Sequence, residues 1–255
     1  MKNVLVLAPV LVVAASASYA QTSPAATDLA TIAPAPEAGI AFPSVFGVAS
    51  AVAPAPNSGY VGALYANPRG GIDGEGGDGD IFGGYTVGNA ADLVALTVGL
   101  SVTSVSTDDF ADSGALSASL SRLVNVSDRS ATFIGATASN LAAWGDADDS
   151  DETGSIQISH IQDFDVPVQF TAGYALDNTY DDDDSGDLDD GFFLGVGVGI
   201  SELFSISLSG TQTQANIGLT GSLPFLPNVG FSAGVFDVTD NVERQQFSFA
   251  VVYGF

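Results

Sequence analysis

The densest chemistry in this chain sits in one aspartate run. Asp181, Asp183, Ser185, Asp187 and Asp189 offer oxygen at alternate positions around Gly186. Hard oxygen donors with a glycine that permits a sharp turn are the pattern of a calcium loop. The run departs from a helix–loop–helix calcium site, because Phe192 stands where the closing glutamate belongs and no helix pattern flanks it. Three readings stay open: a calcium site on these five residues, diffuse attraction of Ca²⁺ or Mg²⁺, or a solvated acidic loop, the commonest fate of such a run.

Other reactive residue types are scarce. The chain has one histidine and no cysteine. His160 shares an alternating face with Ile156 and Ile158. Nucleophilic hydrolysis needs a histidine grouped with a nucleophile and a carboxylate. A lone histidine in an apolar row reads instead as a polar residue at an interface. No phosphate loop, metal cluster or cofactor motif occurs, so the expectation is a non-enzyme with no catalytic residue. With 30 acidic against 5 basic residues the formal charge is −25. Such a chain has nothing to neutralise phosphates, which excludes an electrostatic nucleic-acid partner.

The elements that carry these residues are strands. At the end of the chain Phe247, Phe249, Val251, Tyr253 and Phe255 fall on one face, and Gln246, Ser248, Ala250, Val252 and Gly254 on the other. A period of two with the oily set on one side is a strand with an apolar face. The same alternation runs through Val94 to Val102, Val168 to Leu176, Phe192 to Ile200 and Val229 to Val235. It predicts strands over about 58–68, 80–88, 92–106, 113–124, 130–143, 154–163, 167–177, 191–201, 203–210, 214–222, 229–237 and 244–255, with ends uncertain by a few residues. Most of these runs are near the roughly 9 to 11 residues that cross a bilayer when tilted.

The N-terminus adds an address. Lys2, an apolar run over 4–15 and Ser18-Tyr19-Ala20 before Gln21 have the order of a secretory signal peptide over 1–20. An exported chain without cysteine cannot rely on a disulfide framework. Residues 21–57 are rich in Ala and Pro. They read as a periplasmic lead segment or a plug, and the apolar stretch 40–53 fits an extra strand, a plug or a tether. Residues 58–255 form the strand-bearing domain.

Acidic residues are segregated among the connections. Short turns at 88–91, 125–129, 163–166, 201–202 and 224–228 alternate with acidic connections at 70–79, 107–112, 145–153, 178–190, 211–213 and 237–243. The acidic set and its flanks hold 23 of the Asp and Glu residues and 7 lie elsewhere, which sums to the 30 present. In membrane barrels of bacteria, short turns face the periplasm and long loops face outside. An even strand number returns both ends to the short-turn side.

The leader, the alternating acidic loops and the motif Phe247-x-Phe249-x-Val251-x-Tyr253-x-Phe255 resemble a Gram-negative outer-membrane β-barrel of porin-like style. The resemblance spans about residues 58–255. It implies an all-β, antiparallel, up-and-down barrel of about twelve strands, with 10 to 14 open. It also implies that the barrel assembly machinery reads the terminal aromatic strand. The remaining expected partners are outer-membrane lipid, lipopolysaccharide and further copies of the chain.

The inward positions are mostly small: Thr97, Gly99 and Ser101; Ser117, Ser119 and Ser121; Gly195, Gly197 and Gly199; Ser205, Ser207 and Ser209. A barrel wider than eight strands lined by small residues leaves room for water. That favours passive diffusion of small hydrophilic solutes or cations. Tight strand curvature, or the 21–57 segment lying inside, would account for the same residues. The alternative function is a non-conducting barrel acting through its acidic loops. Aspartate loops beside lipopolysaccharide phosphates need a bridging divalent cation. EDTA should therefore lower the thermal stability of the purified protein and strip its bound lipopolysaccharide; no change in either would refute the bridge.

Overall fold

The computed structural model describes residues 43–67, 78–103, 111–149, 152–180, 188–201, 203–226, 228–240 and 245–255. Alternation becomes twelve strands: β1 Gly59–Asn67, β2 Asp78–Gly88, β3 Ala95–Val102, β4 Gly114–Ser127, β5 Ser130–Trp144, β6 Thr153–Asp163, β7 Pro167–Tyr180, β8 Leu188–Gly199, β9 Phe204–Gly210, β10 Ala215–Ser222, β11 Val229–Phe236 and β12 Gln246–Gly254. Each pairs antiparallel with its sequence neighbours, and β12 pairs with β1, so the sheet is a closed barrel. Among the described residues the helical structure is a 3-10 turn, Gly145–Asp149.

The seam is made by the aromatic strand. Its register runs from Tyr60 opposite Gly254 to Asn67 opposite Phe247. Gly59 and Phe255 extend it by exchanging backbone bonds of 2.7 and 2.8 Å. The Phe255 ring lies where a Cβ on Gly59 would stand, 2.6 Å from its nearest atom. Phe247, Phe249, Val251, Tyr253 and Phe255 all point outward. Closure removes the unpaired edge that an open sheet would leave.

Burial is inverted relative to a soluble protein. Ile156, Phe192 and Leu194 are 64–66% exposed, while Ser159, Gln169 and Ser248 are 0–1% exposed. Apolar outside and polar inside at a period of two is the pattern of a membrane barrel. Aromatic residues mark both rims. Trp144 ends β5 on the acidic-loop side, its indole N–H bonded to the carbonyl of Ala111 at 3.0 Å. Phe164, Phe225 and Phe255 are exposed on the short-turn side.

The strands depart from the sequence expectation at several ends: β3 is shorter than 92–106, and β4 runs on to Ser127 through residues expected in the 125–129 turn. β7 and β8 reach further, to Tyr180 and from Leu188, across a register shift after Ala175. Asp189 and Asp190 therefore belong to β8 and not to a loop. Residues 43–53 form no strand, and the inside of the barrel holds them, as the next section describes. Residues 21–42 lie outside the described part.

The wall makes a specific demand on its medium. Leu194 is 66% exposed in the middle of β8, and Leu93 is 67% exposed in the β2–β3 turn. Leu194→Arg should destabilise the barrel by about 2–4 kcal/mol and Leu93→Arg by about 0–1 kcal/mol, as expected for bilayer midplane against interface. Urea unfolding in liposomes measures both. Equal effects would mean that the outer face meets water.

Candidate functional site: a lumen filled by residues 43–56

The inward side of a barrel strand is dictated by the pleat. In β9, Ser205, Ser207 and Ser209 recur at every second residue and form one inward row of hydroxyls. A row of buried hydroxyls must find partners. Here they bind main chain from the segment before β1. Ser205 Oγ accepts the Ser44 N–H at 3.4 Å, and Ser207 Oγ accepts the Phe46 N–H at 3.0 Å. Ser209 donates to the Phe46 carbonyl. The segment thus climbs along β9 from the short-turn rim.

It turns at Gly47, whose φ of +83° is left-handed and open to glycine. Asn216, second residue of β10, packs against this bend and accepts the Asp237 N–H at 3.0 Å. The chain then crosses the lumen. Thr171 of β7 donates to the Ala49 carbonyl at 3.3 Å, and Gln169 donates to Ser50 Oγ at 2.8 Å. Ser159 of β6 accepts the Ala51 N–H at 2.9 Å, and Ser121 of β4 donates to the Ala51 carbonyl. Val52 and Ala53 descend to an apolar cluster with Ala90, Ala131, Phe133 and Ile161. The path ends at the short-turn rim, where β1 begins.

Glycines of the wall are hollows for this segment. A Cβ on Gly195 would lie 2.3 Å from Val45, one on Gly197 2.2 Å from the Ser44 carbonyl, and one on Gly218 2.3 Å from Phe46. The Phe46 ring also covers Gly234 and meets the Phe236 ring at 4.6 Å between centroids. Small inward residues thus make room for chain, not only for water. Residues 43–53 lie against the inward face of the wall.

The other predicted positions separate. Asp181, Asp183, Ser185 and Asp187 lie outside the described residues. Asp189 is on β8, opposite Thr179. Among the described residues no group of three or more His, Cys, Asp or Glu is placed to hold a metal. His160 is on the outer face, its Nδ1 2.9 Å from Thr132 Oγ1. It edges a hollow of about 580 Å³ walled by the outward side chains Ile158, Phe170, Leu194 and Leu208. Arg122 is exposed on the outer face of β4 opposite Ile134. Arg129 ties two short turns together, at 3.3 Å to Asp163 and 2.8 Å to Asp165. The Asp165 hydrogen bond and the charge of Asp163 raise the Arg129 pKa and hold it charged. Neither described arginine enters the lumen.

No family model matches the chain, and no curated protein matches it. Solved structures do. The KdgM porin is 10% identical, with 77% of this chain and 99% of that one covered at a TM-score of 0.50. The fold is that of an outer-membrane β-barrel. The KdgM porin in complex with disordered oligogalacturonate matches at 10% identity, the same coverage of 77% and 99%, and a TM-score of 0.51. An outer-membrane channel from Pseudomonas putida F1 is 12% identical over 80% of this chain and 97% of that one, at 0.49.

What sequence reading missed is the fit between barrel wall and segment. Its signal was present: an uncharged small-residue stretch over 43–53 precedes strands whose inward rows are Gly and Ser. Ser159→Ala would leave the buried Ala51 N–H without its acceptor, costing about 1–3 kcal/mol. Amide exchange at Ala51 should then quicken by about fivefold to a hundredfold, since 1.4 kcal/mol is a factor of ten. Unchanged exchange would show that Ser159 does not hold the segment.

Proposed function

We propose that the protein is a bacterial outer-membrane channel that passes small hydrophilic solutes or cations by diffusion, with catalysis no part of its role. The observation that carries this reading is a closed twelve-strand barrel with an apolar outside and hydroxyl rows inside. Eight strands would fill their own interior, and twelve leave a space that needs other occupants. Acidic residues cluster on one side of the strand plan and should gather cations at that mouth. Aspartates 163 and 165 on the other rim share Arg129 and add less to the field there. A polyanion such as the oligogalacturonate named with one similar porin is the wrong charge class for this mouth. The acidic loops would face lipopolysaccharide phosphates through Ca²⁺ or Mg²⁺, and the periplasm would hold both chain ends.

A second reading has its own observation. Residues 43–56 occupy the lumen, which suits a non-conducting barrel that acts through its loops.

Planar-bilayer recording of the refolded mature chain under a salt gradient separates the two. The channel reading expects discrete steps with a cation-selective reversal potential. Selectivity should fade near 1 M salt, where the screening length is about 3 Å. A folded, heat-modifiable barrel without steps in any condition would favour the second reading.

A further inference from the structure

The lumen wall holds its occupant in an unusual way. Six main-chain atoms of the segment bond to wall hydroxyls: the N–H groups of Ser44, Phe46 and Ala51 and the carbonyls of Phe46, Ala49 and Ala51. The hydroxyls come from β4, β6, β7 and β9. Bonds to a ligand's main chain give affinity, and pockets for its side chains give choice. The pockets here are the hollows of Gly195, Gly218 and Gly234, filled by Val45 and Phe46. The segment 43–53 carries no charged residue. Gln169 is fully buried, and its Oε1 accepts no hydrogen bond, so the wall offers an acceptor that the present occupant leaves unused.

These features belong to a binding site and not to a strand that is part of the wall. A wall strand would bond to its neighbours' backbone along its whole length. Residues 43–53 are instead held by side-chain hydroxyls from five strands, β4, β6, β7, β9 and β10. They are tethered on the β1 side through 54–58, where the Thr86 N–H donates to the Ser58 carbonyl at 2.8 Å, the Tyr85 hydroxyl to the Asn57 carbonyl at 3.2 Å and Ser58 Oγ to the Ala55 carbonyl at 2.7 Å. A tethered ligand acts at an effective concentration of about millimolar and outcompetes a free one.

We propose that the lumen is a binding site for an uncharged peptide that bends at a glycine and carries one aromatic anchor among small side chains, that residues 43–53 are its tethered ligand, and that solutes pass only when this ligand leaves. The last step rests on the channel reading; the binding site does not.

The test disables the tethered copy and supplies a free one. Phe46 is 6% exposed between Gly218, Gly234 and Phe236, so F46D puts an unpaired charge in an apolar pocket. The F46D barrel, folded by heat-modifiability, should conduct more than the parent. A fluorescent peptide with the sequence of residues 43–53 should bind F46D and reduce its conductance, and the peptide carrying aspartate in place of Phe46 should do neither. The pair S44C/T220C complements it. The two hydroxyl oxygens are 2.6 Å apart and the chain has no other cysteine, so oxidation locks the segment in place. Oxidised protein should lose the opening events that the reduced form retains.

A folded F46D barrel that binds no peptide overturns the site. Equal conductance of oxidised and reduced S44C/T220C overturns release as the gate, whether or not F46D folds. Peptide binding to F46D with no conductance in any form upholds the site and sinks the channel reading alone.

Discussion

Every backbone amide and carbonyl that meets lipid must find its partner inside the protein, and this one constraint organises the molecule. A strand satisfies one edge with the strand before it and the other with the strand after. Only closure satisfies the last edge. In this chain closure falls on β1 and β12, where the register holds from Tyr60 to Asn67 and the Gly59–Phe255 bonds finish it. The aromatic side chains of β12 are then free to face outward. Gly59 leaves space for the terminal ring, which seals the short-turn end of the seam.

A second demand follows from the first. The pleat that turns Val, Leu and Phe to lipid turns Ser, Thr and Gly inward at every other residue. Hydroxyls buried in a lumen need partners as much as amides in a wall do. Some find each other, as Thr86 and Thr97 do at 2.8 Å and Ser205 and Thr220 at 2.6 Å. Others bond the main chain of 43–53. The hydroxyls of the interior and the main chain of the uncharged segment satisfy one another. The hollows at Gly195, Gly197 and Gly218 show that the match extends to shape.

The barrel and the rim chemistry differ in how they are held. Charge gathers at the connections, and the two described ion pairs, both on Arg129, join the β4–β5 and β6–β7 turns outside the wall. Arg122 and His160 sit on the outer face, where a long or partly apolar side chain can reach a polar layer. His160 takes Thr132 as its neighbour across β5 and β6, which satisfies it locally. None of these groups reaches the lumen, whose inward face carries hydroxyls, amides and glycine beside the buried carboxylate of Asp80 on β2.

Strand number, strand position and the identity of the outward face were legible in the sequence, because a period of two is a local property that each strand writes for itself. The β9–β10 hairpin closes at Gly210 and Ala215. The reach of β7 and β8 was not legible. Their extra pairs, Thr179–Asp189 and Tyr180–Leu188, lie beyond a register shift and carry polar residues that read as loop. The lumen was legible only as a list of small residues. Whether small residues surround water or another part of the chain depends on contacts such as Phe46–Ser207 and Ala51–Ser159, which are 161 and 108 residues apart. Sequence by itself determined the barrel, since each strand's alternation sets which side meets lipid. Tertiary structure alone decided what the barrel contains, since a lumen exists only after closure and its fit to residues 43–56 is a property of several strands at once.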